Sequence, residues 1–127
     1  MHLPKEKVKK LIEMMNAMSN SSIPVQKPII EMFNLAMDEK MLDYLLALGT
    51  SEYTIEESKQ VYVSLYGVTG WEEHFEELKA MSFIHPKSNE ERHIYELSPI
   101  FPGWVEFYTS RPENGKRKVI LAKKGSF

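Results

Sequence analysis

The chain has 127 residues, of which 43% are hydrophobic and 27% charged, a composition typical of a folded domain. It contains no cysteine, which excludes disulfides, thiol nucleophiles and iron–sulfur clusters held by its own thiolates. No apolar run approaches the roughly 20 residues of a membrane span, and the N-terminus has no signal-peptide pattern. We therefore expect one cytoplasmic domain that holds no cofactor and contacts no membrane.

Charge is segregated along the chain, although the net charge is only −2. Residues 1–27 carry a net charge of +3, residues 28–109 carry −10, and residues 110–127 carry +5. Basic arms of this kind contact nucleic acid in some proteins, and in others they balance the acidic charge of their own body or of a partner subunit. Both alternatives stay open at this point.

The first predicted element is an amphipathic helix of about 15 residues that begins near Pro4, because apolar residues recur at helical spacing after this proline. Polar residues 19–22 end the pattern. The apolar face of the helix needs a cover, either the body of its own chain or a second subunit. Three adaptable side chains on this helix are candidate contacts for a partner: Met14, Met15 and Met18.

Helices are also predicted for the middle of the chain. Pro28 suits the start of a short helix, and Asp38 suits the N-cap of a helix that Gly49 ends. Residues 54–57 (TIEE) and 69–72 (TGWE) each match a capping box, in which a threonine and a glutamate satisfy the first free amides of a helix. Two helices separated by a turn of about four residues that contains glycine predict a helix-turn-helix.

Two short β-prone runs follow, at residues 82–85 and 93–97, and a polar loop separates them. A helix-turn-helix followed by such a hairpin is a winged helix. We therefore predict a mainly α fold with a small β-hairpin wing (α+β). In this interpretation residues 1–27 are an N-terminal amphipathic helix and linker, residues 28–109 the winged-helix domain, and residues 110–127 a basic C-terminal extension.

The end of the chain allows two interpretations. Pro99 and Pro102 exclude regular helix up to Gly103. Behind them the alternation of residues 105–109 and the Asn-Gly turn before residues 119–122 favour a terminal β-hairpin. The alternative is that the chain from Trp104 onward forms a helix or loop that lies across another subunit.

Residues 38–108 resemble the N-terminal winged-helix domain of a group of prokaryotic 4Fe–4S ferredoxin-type proteins. The most specific matches are the Tyr-x-Leu-x-Pro pattern of residues 95–99 and the Pro-Gly-x-x-Glu pattern of residues 102–106. In that family the winged helix precedes an iron–sulfur domain that supplies the cysteines. Because this chain has none, the resemblance implies a fold and an iron–sulfur-associated context, and no cluster-binding residue can be carried over.

The predicted second helix of the helix-turn-helix is acidic, since residues 70–81 carry a net charge of −3. Such a helix repels phosphates, whereas it suits a basic protein surface or the basic arm of a second copy. Its glutamates also favour the positive end of a helix dipole, which is a purely structural role. Four side chains of this helix are candidate partner contacts: Glu72, Glu73, Glu76 and Glu77.

The alternative function is a DNA-binding transcriptional regulator whose basic arms contact phosphates. The candidate residues for this function are Lys87, Arg92, Arg111, Lys116, Arg117 and Lys118. None of the four histidines stands in a metal-ligand motif, and no nucleophile or phosphate-loop pattern is present. We therefore predict a non-catalytic winged-helix module, without catalytic or metal-binding residues, that docks a protein partner or mediates dimerisation.

Overall fold

A computed structural model describes residues 2–19, 24–88, 90 and 93–106. This part of the chain is mainly helical with a small antiparallel sheet. Its elements are α1 (Lys5–Ala17), α2 (Lys27–Ala36), α3 (Glu39–Leu48), β1 (Tyr53–Thr54), α4 (Ile55–Tyr66), α5 (Trp71–Ala80), β2 (Ile84–Pro86), β3 (Ile94–Leu97) and a π-helical turn (Ile100–Trp104). No helix among the described residues has both the length and the apolarity to cross a membrane.

The N-terminal helix α1 packs on the body of its own chain, which is one of the two predicted alternatives. Its apolar stripe contributes fully buried side chains, among them Val8 and Leu11, to the same core that α2 and α3 line. On its polar side the Lys7 Nζ lies 2.8 Å from Glu39 Oε2 and 2.9 Å from Asp43 Oδ1 of α3. Residues 5–17 are therefore part of the core rather than an appended arm.

The caps of α3 agree with the sequence prediction. The Asp38 side chain accepts a hydrogen bond from the Met41 amide at 2.9 Å, and Gly49 follows the helix at φ 75°. The preceding helix α2 extends to Ala36, beyond the predicted short segment.

Only the first of the two predicted capping boxes forms. The Thr54 hydroxyl accepts from the Glu57 amide at 3.1 Å, and the Glu57 carboxylate accepts from the Thr54 amide at 2.9 Å. The prediction of a second box at Thr69 is wrong. Helix α5 begins one residue later, so that its N-cap is Gly70, which has no side chain to offer.

The sheet has the strand order β1-β3-β2, with both pairs antiparallel. The predicted pairing of the two β-prone runs is confirmed, with His85 opposite Glu96 in the register. Strand β1 was not predicted, because two residues are too short to show an alternating pattern. It pairs Tyr53 with Tyr95 and thus joins the start of α4 to the hairpin.

Trp104 closes the core at the end of the described chain. It is fully buried, stacks on Phe83 with ring centroids 4.8 Å apart, and meets Phe33 edge-on at 4.7 Å. Its Nε1–H donates to the carbonyl of Met81, the C-cap residue of α5, at 3.0 Å. The predicted extended conformation is wrong at Val105 and Glu106, which are helical, and the remainder of the predicted terminal hairpin, from residue 107 onward, lies outside the described residues.

The two threonines provide a direct test of the capping pattern. We expect Thr54→Ala to lower the free energy of unfolding by about 1 kcal/mol, because the Glu57 amide at the start of α4 loses its hydrogen-bond acceptor. Thr69→Ala is the matched control, since this exposed side chain caps no helix, and it should change the free energy by less than about 0.5 kcal/mol. Urea unfolding followed by circular dichroism measures both. Equal losses in the two variants would contradict the assignment of the caps.

Candidate functional site

Two glycines set the turn between α4 and α5. Gly67 ends α4 at φ 86°, and Gly70 precedes α5 at φ 90°, a backbone conformation that residues with a side chain rarely adopt. A Cβ atom at Gly70 would lie 3.3 Å from the Tyr62 hydroxyl oxygen. The turn therefore brings the first residues of α5 close to the middle of α4.

A chain of hydrogen bonds fixes α5 against α3 and α4. The Trp71 Nε1–H donates to the Tyr44 hydroxyl oxygen at 3.0 Å, and the Tyr44 hydroxyl donates to the Ser58 carbonyl at 2.9 Å. Tyr44 and Ser58 are fully buried, whereas Trp71 is half-buried. The indole ring of Trp71 is thus held in one orientation at the surface.

His74 adds a second link between α4 and α5. Its Nδ1 lies 2.8 Å from the Gly70 carbonyl oxygen and 3.0 Å from the Tyr62 hydroxyl oxygen. Because a carbonyl can only accept, we assign the ring hydrogen to Nδ1. The histidine therefore stabilises the first turn of α5.

The predicted acidic residues of α5 all lie at the surface. Glu72, Glu73, Glu76 and Glu77 are exposed, at positions that place them on one side of the helix. Lys79 pairs with Glu76 at 2.8 Å, and this contact raises the pKa of the lysine. The other three carboxylates form no salt bridge within the described part of the chain.

Two shallow clefts flank the exposed part of Trp71. The first has a volume of about 300 Å³ and is lined by Lys59, Val68, Gly70, Trp71, Glu72 and Glu73. The second has a volume of about 230 Å³ and is lined by Ile55, Trp71, Glu72, Phe75, Glu76 and Lys79. Each cleft combines an aromatic wall with a carboxylate rim. We call the four glutamates together with these two clefts the α5 face.

Aromatic rings form the floor of the α5 face. Trp71 stacks on Phe75 with centroids 5.4 Å apart, and Phe75 meets Tyr95 of the sheet edge-on at 5.3 Å. Lys59 lies 5.7 Å from the centroid of Trp71, and Lys79 lies 5.5 Å from that of Phe75. The face also exposes apolar surface, since Val68 is 70% and Ile55 38% accessible.

The sequence did not indicate the clefts, because they arise only where α4, α5 and the sheet meet. In the periodic pattern Trp71 and Phe75 are indistinguishable from other core-facing positions. The one available signal was the position of Trp71 between Gly70 and two glutamates.

Of the three predicted methionines, Met15 lies in the core, whereas Met14 and Met18 are partly exposed. Met15 is fully buried, so it has no surface to offer a partner. Met14 and Met18 are half-buried and pack against the same core. The adaptable side chains of α1 thus fill the space between α1 and its own body.

Of the residues proposed for contacts to nucleic acid, the structure describes Lys87. Its Nζ lies 2.8 Å from Glu52 Oε1, so this exposed lysine is already paired with a carboxylate. Five candidates lie outside the described residues: Arg92, Arg111, Lys116, Arg117 and Lys118.

His85 joins the two strands of the hairpin through side chains that the sequence did not single out. Its Nδ1 lies 3.1 Å from Ser98 Oγ, and its Nε2 lies 3.2 Å from Glu96 Oε1. This order of hydroxyl, imidazole and carboxylate resembles that of a hydrolase site, but Ser98 is only 5% exposed, so its hydroxyl is closed to a substrate. Among the described residues, no three His, Asp or Glu side chains gather in a group that could hold a metal ion.

Comparisons of the chain with protein-family models, with curated proteins and with solved structures found no match. In the described part of the chain, the α5 face combines exposed carboxylates with apolar clefts.

Two tyrosines test the hydrogen bonds that position α5. Tyr44→Phe leaves the Trp71 N–H and the Ser58 carbonyl without their partner, and we expect it to lower the free energy of unfolding by about 1–3 kcal/mol. Tyr53→Phe is the matched variant, because the Tyr53 hydroxyl oxygen is buried and has no hydrogen-bond partner among the described residues. Removing it should raise the free energy of unfolding by about 1 kcal/mol. Urea unfolding of both variants distinguishes the two roles, and a loss of stability in Tyr53→Phe would contradict the assignment.

The buried tyrosines also make stability depend on alkaline pH. Burial raises the pKa of Tyr44, Tyr53 and Tyr66, whereas tyrosine in the unfolded chain ionises near pH ~10. Below that pH both states hold the phenolic protons. Above it the unfolded state loses protons that the folded state retains, so the free energy of unfolding should fall as the pH rises. Urea unfolding at a series of alkaline pH values measures the effect. The free energy of unfolding of Tyr53→Phe should decline less than that of the unsubstituted chain, because one of the tyrosines with a raised pKa is absent.

Proposed function

We propose that this chain is a non-catalytic winged-helix interaction module that docks a basic protein partner on its α5 face. The observation that carries the proposal is the combination of aromatic clefts around Trp71 with exposed carboxylates, three of which form no salt bridge within the described part of the chain. The proposal concerns binding alone and assigns no reaction to the chain.

The order of elements supports the winged-helix assignment. Helix α3, strand β1, helices α4 and α5 and the β2–β3 hairpin follow one another, and β3 lies between β1 and β2 in the sheet. In this assignment α4 and α5 are the helix-turn-helix and the hairpin is the wing. The resemblance of residues 38–108 to the N-terminal domain of 4Fe–4S ferredoxin-type proteins is consistent with it.

The charge of α5 favours a protein partner over DNA. In a helix-turn-helix the second helix lies in the major groove, where it meets phosphates on both sides. Residues 70–81 carry a net charge of −3, which makes this approach unfavourable. The approach of lysine and arginine side chains of a protein is favourable, because carboxylates rim both clefts of the α5 face.

The clefts define the partner further. A purely basic peptide would leave the aromatic walls in water, whereas aliphatic side chains between its basic residues can fill the clefts next to Trp71 and Phe75. The rim charges then govern the rate and specificity of the encounter, and the apolar contacts supply most of the affinity. We therefore propose a partner segment in which basic and aliphatic residues stand side by side.

A second candidate function is DNA binding by a transcriptional regulator, with the basic arms on phosphates. The helix-turn-helix order of α4 and α5 and the net charge of +5 on residues 110–127 favour it. In that case most phosphate contacts come from outside α5, and charge reversal at Lys116, Arg117 and Lys118 should reduce the salt dependence of duplex binding.

The proposed function can be tested with labelled probes and fluorescence anisotropy. The probes are a peptide that alternates lysine with leucine, a control peptide that alternates lysine with serine, and duplex DNA. We expect the lysine–leucine peptide to bind most tightly, and Glu72→Gln combined with Glu73→Gln to weaken this binding by about tenfold, which corresponds to about 1.4 kcal/mol. Glutamine keeps the helix propensity, so that loss of charge is the main change.

The matched control removes two exposed carboxylates from another helix. Glu6→Gln combined with Glu13→Gln on α1 changes the net charge by the same amount and should leave binding of the peptide unchanged. Equal binding of the two peptides, or an equal effect of the two pairs of substitutions, would overturn the assignment of the α5 face. Tight, salt-sensitive binding of duplex DNA instead would favour the second candidate.

A further inference from the structure

We propose that residues 110–127 of this chain dock on the α5 face of the same molecule and compete there with the protein partner. This inference rests on the proposed function of the α5 face and adds a means of regulating partner binding. The occupant is thus a segment of the chain itself, tethered to the surface that it covers.

The described chain ends beside α5. The Trp104 Nε1–H donates to the carbonyl of Met81, the C-cap residue of α5, at 3.0 Å. Glu106, the last residue that the structure describes, follows two residues later, and its side chain accepts from the Gly103 amide at 3.0 Å. The backbone of Trp104 thus lies within one indole side chain of the C-terminal end of the helix that carries the α5 face.

The tether is long enough to reach every part of that face. Helix α5 has 10 residues and is about 15 Å long. Residues 107–111 alone can span at most about 17 Å, and residues 107–116 about 33 Å. The basic residues from Lys116 onward are thus within reach of both clefts.

The composition of the C-terminal segment matches the partner chemistry derived above. Residues 110–127 contain six basic residues and one glutamate. Between Lys118 and Lys123 stands the aliphatic run of residues 119–122 (VILA). Basic residues that flank aliphatic ones are complementary to the carboxylate rims and the aromatic walls of the α5 face.

Tethering favours the segment of the same molecule over that of a second copy. A short linker gives a tethered ligand an effective concentration in the millimolar range, which exceeds the concentration of other copies in a dilute solution. Weak charge-assisted docking is therefore sufficient to cover the face. Because the charges lie at the surface, the contact should weaken as salt rises.

The test uses the full chain with three charges reversed in the segment: Lys116→Glu, Arg117→Glu and Lys118→Glu. Two quantities are measured, the affinity for the lysine–leucine peptide and the quenching of Trp71 fluorescence by acrylamide, to which the fully buried Trp104 contributes little. We expect the variant to bind the peptide on the order of tenfold more tightly, since the competitor is lost. Its Trp71 should also be quenched more strongly than that of the unsubstituted chain.

The matched control reverses three exposed lysines of α1, Lys5→Glu, Lys9→Glu and Lys10→Glu, and should change neither quantity. Equal changes in both variants would show a general effect of net charge and overturn the proposal. A second variant that adds Glu72→Lys and Glu73→Lys to the reversed segment restores the opposite charges, and its Trp71 should again be protected from acrylamide.

The outcomes separate this inference from the proposed function. If the peptide binds through the α5 face but the reversed segment changes neither affinity nor quenching, self-docking is wrong and the proposed function stands. If the segment protects Trp71 but the peptide does not bind even to the reversed variant, the proposed function is wrong and self-docking stands. Protection that disappears on dilution, with a matching decrease in molecular mass in light scattering, would assign the segment to a second copy and overturn the intramolecular form.

Discussion

The hydrogen bonds of Tyr44 are the constraint on which the geometry of the α5 face depends. This fully buried tyrosine of α3 donates to the Ser58 carbonyl of α4 and accepts from the Trp71 indole of α5, so that one hydroxyl group joins three helices. Its ring also meets Tyr62 edge-on at 5.2 Å, which extends the contact along α4. Because the indole N–H donates to the buried Tyr44 hydroxyl, the ring of Trp71 is fixed and forms a wall between the two clefts. A docking surface with a fixed wall loses less conformational entropy when a ligand binds.

The sequence predicts those parts of the fold that local chemistry decides. A cap such as Asp38 or the Thr54 box needs only residues that lie within one helical turn, and the hairpin needs only two β-prone runs and a polar loop. The Thr69 box fails because the same local pattern is compatible with a helix start one residue later, at Gly70. The helix start at Gly70 is accompanied by a contact of His74 with the Tyr62 hydroxyl of the preceding helix, which no local pattern contains.

The same distinction holds for the candidate site. Helical spacing is sufficient to predict that the glutamates of α5 share one side of the helix, and the structure places them there in solvent. The clefts depend on distant residues, since Ile55 and Trp71 come together only after α4 and α5 have packed. The position of α1 could not be predicted either. An apolar stripe shows that a helix packs against another surface, but it does not show which surface that is.

The distribution of ion pairs explains why the α5 face keeps its negative charge. Lys7 of the basic N-terminal segment is committed to Glu39 and Asp43 of α3, and these two carboxylates raise its pKa. Lys87, directly after β2, is paired with Glu52, directly before β1. Each of these lysines neutralises acidic residues near its own position, and on α5 Lys79 does so for Glu76 alone. The carboxylates that begin α5 also stabilise the positive end of its dipole, so the fold gains from them even without a ligand. In the proposed function, basic segments cover this incompletely neutralised surface, first the tethered segment and then that of a partner that displaces it.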